Sequence, residues 1–263
     1  MSASPTGAAV ADRAAALRAL HVPGDPVVLP NAWDAASART VVSAGFPAVA
    51  TASAAVAPAL GYGDHEETPA EEMFAAVARI ARAVPVPVTA DIERGYGLPP
   101  AEIADRLAAS GAVGCNLEDT DPATGKLAPV ADQAEFLAAF RAAAPDAVLN
   151  ARVDVFLHGT GTYEERLAEA IERGRRYVEA GADCVYPIAF DLPAETVRAL
   201  VEGIGAPVNA TAVPGSPVSL ADLAAAGVAR VSFGPGLFMA VEEHLAGLVA
   251  GVREGKLPPA PSR

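Results

Sequence analysis

The sequence predicts an α/β protein, a (β/α)8 barrel with one additional helix at its C-terminus. Three observations predict it. Eight short apolar or β-branched runs show no polar alternation, as strands buried on both faces require. Stretches of helical period rich in Ala, Leu, Glu and Arg separate them. At 263 residues, the length suits one α/β barrel.

The predicted strands are Val27 to Asn31, Ala48 to Ser53, Val86 to Asp91, Gly114 to Glu118, Ala147 to Asp154, Cys184 to Ile188, Pro207 to Thr211 and Ala229 to Phe233. The predicted helices between them are Ala35 to Ala44, Pro69 to Ala83, Pro100 to Ser110, Asp132 to Ala143, Thr162 to Ala180, Ala194 to Glu202 and Ser219 to Ala226. Gly45, Gly111, Gly181 and Gly227 stand where helices end before strands. A last helix, Leu237 to Val252, follows the eighth strand and closes the barrel or packs on a neighbour. Residues 1–263 read as a single domain, with the first 20 or so residues and the Pro-rich tail from Leu257 peripheral. An open, doubly wound sheet is the alternative. The triplets Gly95-Tyr96-Gly97 and Gly234-Pro235-Gly236 lack the later glycine of a dinucleotide fingerprint, and no Walker A sequence occurs.

With 52% hydrophobic but only 5% aromatic residues, the core is built from small aliphatic side chains. The net charge of −13 disfavours a nucleic-acid or anionic-membrane partner, so an anionic ligand needs a local cation. Cys115 and Cys184 each lie in apolar runs and read as core thiols. The start has no signal-peptide pattern and no long uncharged apolar span occurs, so the expected location is the cytoplasm.

In a parallel barrel the site is built at the C-terminal ends of the strands. Those ends carry Asn31, Trp33 and Asp34; Thr51 and Ser53; Asp91, Glu93 and Arg94; Asn116, Glu118, Asp119 and Asp121; Asn150, Arg152 and Asp154; and Asn209 with Thr211. The sixth and eighth strands are nearly silent. Asp91, Glu93 and Glu118 form an oxygen-rich cluster suited to a hard divalent cation, Mg²⁺ or else Mn²⁺; alternatively they are solvated acids or pair with Arg94. Arg152 is placed to bind a substrate carboxylate, or else pairs with Asp154 or Glu118. Lys126 and Lys256 are the only lysines, one in a loop and one in the tail, which argues against Schiff-base chemistry. His65 and His158 follow the second and fifth strands and are acid-base candidates, whereas His21 and His244 read as surface residues.

Several segments, in order and each on its expected strand, resemble the isocitrate lyase and phosphoenolpyruvate mutase superfamily. They are Pro30-Asn31-Ala32-Trp33-Asp34, Thr51-Ala52-Ser53-Ala54, Asp64, Ala90 through Gly97, Asn116-Leu117-Glu118-Asp119, Ala151-Arg152-Val153-Asp154 and Val208-Asn209-Ala210-Thr211. The resemblance implies Mg²⁺ near Asp91, Glu93 and Glu118, contacting a small anionic 2-oxo acid. It also implies a carboxylate held by Ser53 and the Ala54 N–H, Asp64 ordering metal waters, and Arg152 at the reacting end. Trp33, Thr51 and Asn209 complete the candidate substrate-binding set. Homo-oligomers, tetramers or dimers, joined through the C-terminal helix are a further implication.

Departures limit the transfer of an activity. The segment after the fourth strand runs from Glu118 to Lys126 without the cysteine or histidine of the lyase loop, and without the Pro-Lys loop of the phosphonate branch. Pro187 stands where lyases often have glutamate. The expectation is an Mg²⁺-dependent lyase that breaks a carbon-carbon bond in a small 2-oxo or 2-hydroxy dicarboxylate, by retro-aldol cleavage or decarboxylation. Phosphorus-carbon chemistry on a phosphonopyruvate-like compound, with Thr120, Thr124 and Lys126 as phosphonyl contacts, is the alternative. A non-catalytic oxo-acid binder is the third. Lys126 and His158 are the acid-base candidates, depending on which closes over the ligand.

Overall fold

The computed structural model describes residues 7–257 and 259. Eight principal strands run in the order the sequence predicts: β1 (Asp25–Leu29), β2 (Val49–Thr51), β3 (Val88–Asp91), β4 (Gly114–Glu118), β5 (Val148–Val153), β6 (Cys184–Pro187), β7 (Asn209–Thr211) and β8 (Arg230–Ser232). Neighbours pair in parallel from β2 through β6, and β7 pairs with β8, which pairs with β1. Pro30 lacks an N–H and interrupts the first strand, so Asn31–Ala32 continues it in a ladder with β2 while β1 itself pairs with β8. A single parallel bridge, Val185 to Val208, links β6 to the segment that leads into β7.

The helices are α1 (Gly7–Ala19), α2 (Ala35–Ser43), α3 (Ser53–Leu60), α4 (Ala70–Ala83), α5 (Pro100–Ser110), α6 (Val130–Ala143), α7 (Val155–His158), α8 (Tyr163–Glu179), α9 (Ala194–Ile204), α10 (Leu220–Ala225) and α11 (Gly236–Arg253). Local chemistry sets several starts. Asp34 with Ser37, Thr162 with Glu165 and Ser219 with Asp222 each form reciprocal capping boxes. Gly111 ends α5 at φ 81°, a conformation that a side chain at this position would strain. The outer face of the strands and the inner faces of α2, α4, α5, α6, α8 and α9 share one apolar cluster, including Ile80, Ile103, Leu137, Phe140 and Tyr177. Cys115 and Cys184 are free and buried, and burial pushes the Cys184 thiol up to about 12.

Three expectations change. The first 20 residues are not simply peripheral: Ala14 and Leu17 of α1 are buried beneath the N-terminal ends of the strands, against Val27, Ala48, Val113 and Val148. Small residues make this approach possible. A Cβ on Gly114 would meet the Val148 carbonyl oxygen at 2.7 Å and Leu17 Cδ2 at 3.1 Å. Helices α3 and α7 sit directly after β2 and β5, where the sequence predicts only loop; each is too short for periodicity to reveal. His21, expected on the surface, is buried at the floor, with its Nδ1 2.9 Å from the Leu17 carbonyl. By contrast α11 buries no residue, although Phe238 meets Trp33 edge-on at 5.3 Å. Among the described residues no helix is long and apolar enough to cross a membrane.

The buried His21 makes stability depend on pH. Burial, then the nearby Arg230 charge, lower its pKa from 6.5 to about 4, against the opposing effects of the Leu17 carbonyl and Asp183. The native imidazole is neutral where the unfolded one takes a proton, so this contribution is complete above pH 6.5 and declines as pH falls towards 4. The loss amounts to about 3 kcal/mol over that window. Urea titrations across pH 4–7 should show this slope in the wild type and a much shallower one in His21→Gln.

Candidate functional site

A cavity of about 250 Å³ opens at the C-terminal ends of the strands. It is lined by Ser53, Ala54, Asp64, His65, Asp91, Asn116 and Arg152, and also by Leu157, His158, Ile188, Phe190 and Pro235. Parallel register brings the polar groups together: Asp91 lies beside Asn116, Glu118 beside Arg152, and Arg152 beside Tyr186.

Asp91 is the best-anchored acid facing the cavity. Its Oδ2 accepts from the backbone N–H and hydroxyl of Ser53, both at 3.0 Å, and its Oδ1 accepts from Asn116 Nδ2 at 3.3 Å. Behind it, the Asp91 N–H donates to Thr51 Oγ1 at 2.9 Å. Ser53 and Ala54 form the first turn of α3, whose leading amides have no intrahelical acceptor and favour an anion.

Glu93 is nearly fully buried and left-handed at φ 51°. It accepts from the Glu66 N–H at 2.6 Å and the Tyr96 hydroxyl at 3.0 Å. Glu66 returns the contact, its carboxylate accepting from the N–H groups of Arg94 and Tyr96. His65 and Glu66 are themselves left-handed, so two strained loops hold one another. Burial first, then the charges of Asp64 and Asp91, push Glu93 up to about 8. Arg94 does not relieve it; its guanidinium lies over the Phe136 ring.

Glu118 and Arg152 form a buried pair at 2.6 Å, and Arg152 forks onto Asp154 through Nε at 2.6 Å and Nη2 at 3.0 Å. Burial pushes Glu118 well above the usual carboxylate range, against the pull of Arg152. Asp154 also accepts from Thr120 Oγ1 at 2.6 Å, and its N–H donates to Asp119. Asp119 accepts in turn from Arg173 and Tyr177 of α8, so a buried chain of charges joins the cavity to the helix layer.

Other candidates lie elsewhere. Trp33 packs against Phe238 outside the cavity lining. Asn209 donates to Ser232 Oγ at 3.1 Å and faces a separate cavity of about 20 Å³. Lys126 is exposed on a short hairpin, Thr120–Asp121 with Lys126–Leu127, and does not line the main cavity. Thr120 is engaged by Asp154, and Thr124 by Asp121. The sixth and eighth strands are not silent. Tyr186 and Ser232 both line the cavity, and Arg230 lies buried beneath it. Strand parity held the missing signal, since Arg230 and Ser232 share one face, as Cys184 and Tyr186 do.

Oxygen donors and uncompensated negative charge suit a hard cation. Among the described residues, however, no three His, Cys, Asp or Glu groups are placed to hold an ion directly. A small ion that retains several waters can be held by one or two carboxylates, which makes Asp91 its direct candidate and Asp64, Glu93 and Glu118 candidates for holding its waters.

Fold and site together define an α/β protein of the isocitrate lyase and phosphoenolpyruvate mutase superfamily, a superfamily of enzymes. The chain belongs to the phosphoenolpyruvate phosphomutase family, whose model matches residues 17–253. It is 42% identical to a putative phosphonomutase from Burkholderia cenocepacia J2315, with a TM-score of 0.84 over 91% of this chain and 99% of that one. An oxaloacetate decarboxylase of Rhodopseudomonas palustris (strain ATCC BAA-98 / CGA009) is 33% identical over 217 residues, 78% of this chain and 72% of the relative. A phosphonopyruvate hydrolase solved with oxalate and Mg²⁺ is 25% identical, with a TM-score of 0.82 over 94% of this chain and 92% of that one.

Removing the central cation should leave two buried carboxylates unpaired. Arg152→Met is expected to lower unfolding stability by about 3–5 kcal/mol in urea. The double variant Arg152→Met/Glu118→Gln should recover part of that loss, because one stranded charge is gone.

Proposed function

We propose that this chain is an Mg²⁺-dependent lyase acting on a small 2-oxo or 2-hydroxy dicarboxylate, by retro-aldol cleavage or decarboxylation. The observation that carries the reading is the convergence of Asp91, the first turn of α3 and Arg152 on one cavity. We read the two parallel ladders as one closed (β/α)8 barrel, with that cavity at its mouth.

In this reading the Ala54 N–H and Ser53 Oγ bind the substrate carboxylate, the single Ser53 hydroxyl proton turning from Asp91 to the ligand. Asp91 holds Mg²⁺, or Mn²⁺, with Asp64, Glu93 and Glu118 ordering its waters. The cation would supply positive charge to the oxygens on which negative charge accumulates as the bond beta to the carbonyl breaks. Arg152 has five N–H groups, of which Glu118 and Asp154 engage three, leaving two for the reacting end. His158 lines the cavity and is the acid-base candidate of this reading; His65, which lines it too, is the other histidine within reach. Lys126 would need to move to take that part.

Leu157, Ile188 and Phe190 favour a carbon substituent over a phosphonyl group, whose oxygens demand donors. Decarboxylation suits the missing loop cysteine, because loss of CO₂ generates the carbanion without a base. The exposed apolar residues of α11, among them Met239, Leu245, Val249 and Val252, support a second copy of the chain as the helix's partner. Two buried free thiols are compatible with the reducing cytoplasm.

The test is incubation of the purified protein and Mg²⁺ with 2-oxo acids, 2-alkylmalates and phosphonopyruvate, followed by NMR. Carbon-carbon cleavage or CO₂ release is expected, reduced roughly 10²–10³-fold or more in Asp91→Ala. Turnover of phosphonopyruvate alone would reassign the chemistry. Oxalate binding without any product would mark a non-catalytic binder. Light scattering should report a dimer or tetramer that dissociates in Leu245→Glu/Val249→Glu; a wild-type monomer would refute the α11 contact.

A further inference from the structure

Arg230 is among the largest fully buried side chains in the protein, with 1% of its surface exposed. Among the described residues it forms no ion pair with a carboxylate, and its Nη1 has no hydrogen-bond partner. An uncompensated buried cation costs several kcal/mol, and burial accordingly pulls its pKa below the ordinary value. Its neighbours along the chain, Ala229 just before β8 and Val231 on it, are buried and apolar, and an aliphatic residue would fill the space at lower cost.

The contacts it does make all run towards the cavity floor. Nε donates to Ser232 Oγ at 3.2 Å, and Nη2 donates to Asn116 Oδ1 at 3.4 Å. Asn116 Oδ1 also accepts from Asn150 Nδ2 at 2.8 Å. Two donors therefore converge on one end of the Asn116 carboxamide, and they decide which way it faces. Its Nδ2 is left to donate to Asp91 Oδ1 at 3.3 Å, and Asn116 and Ser232 both line the cavity. Turned over, Asn116 would present its carbonyl oxygen to a carboxylate and its amide to two donors.

We propose that Arg230 is a positioning residue for the oxo-acid site, holding the Asn116 amide so that its N–H faces Asp91. Its guanidinium reaches Asn116 and Ser232, both of which line the cavity. This rests on the cavity being an oxo-acid site, and two measurements separate the claims.

The first is oxalate binding by calorimetry in Mg²⁺, with the melting temperature of each variant measured alongside. Methionine nearly matches arginine's apolar stem, so Arg230→Met should melt within a few degrees of wild type yet bind oxalate at least tenfold more weakly. In an Asn116→Ala background the same substitution should cost less than threefold, because the partner through which it acts is gone. A folded Arg230→Met that binds oxalate as wild type does would overturn the proposal, as would an equal loss in both backgrounds. Should the methionine variant not fold, Arg230→Lys, a single-point donor, carries the same expectation and the same refutation. The second measurement needs no ligand. In ¹⁵N-asparagine-labelled protein the Asn116 side-chain amide should give two dispersed, slowly exchanging proton signals, which shift and exchange faster in the variant. An unchanged signal pair would overturn the proposal even if wild type fails to bind oxalate, a failure that by itself counts against the oxo-acid reading.

Discussion

Arg152 held between Glu118 and Asp154 is the contact on which the mouth of the fold depends. Three charged groups at the ends of two adjoining strands are withdrawn from water, and each is tolerable only because the others are in place. The same link reaches outward, since Asp154 ties to Thr120 and Asp119, and Asp119 to Arg173 and Tyr177 of α8. Movement of the β4 and β5 ends would therefore strand charges in the interior.

A second constraint is volume. Ala48, Ala50 and Gly114 leave room at the strand floor for Leu17, and the polar residues above occupy space that bulkier aliphatic side chains would otherwise take. The low aromatic content thus has a structural consequence. Small strand residues admit a helix from below. The cavity also has apolar lining, at Leu157, Ile188 and Phe190.

Much of this was legible from local pattern. The order of strands and helices follows from period and capping, and Asp91, Ser53, Ala54, Asp64, His158 and Arg152 were found by taking strand ends and the segments that match the superfamily; all of them line the cavity. What escaped were features without local period. Helices α3 and α7 were too short, and the floor position of α1 and His21 depends on strands distant in the chain. Lys126 and Trp33 were counted with the site because of where they fall along the chain, but one projects to solvent and the other packs under α11.

By itself, then, the sequence determined the alternation of strand and helix, the aliphatic core and the gathering of carboxylates and Arg152 at one end of the sheet. These follow from spacing and side-chain type, which act over a few residues. Only the tertiary structure decided which partner each acid meets. Glu118 is paired with Arg152, Glu93 accepts from the amide of Glu66 and the hydroxyl of Tyr96, and Asp91, held by Ser53 and Asn116, lines the cavity. It likewise decided that Arg230 lies beneath Asn116, a contact between residues 114 positions apart. Such pairings are set by the register of neighbouring strands, and register is a property of the assembled sheet.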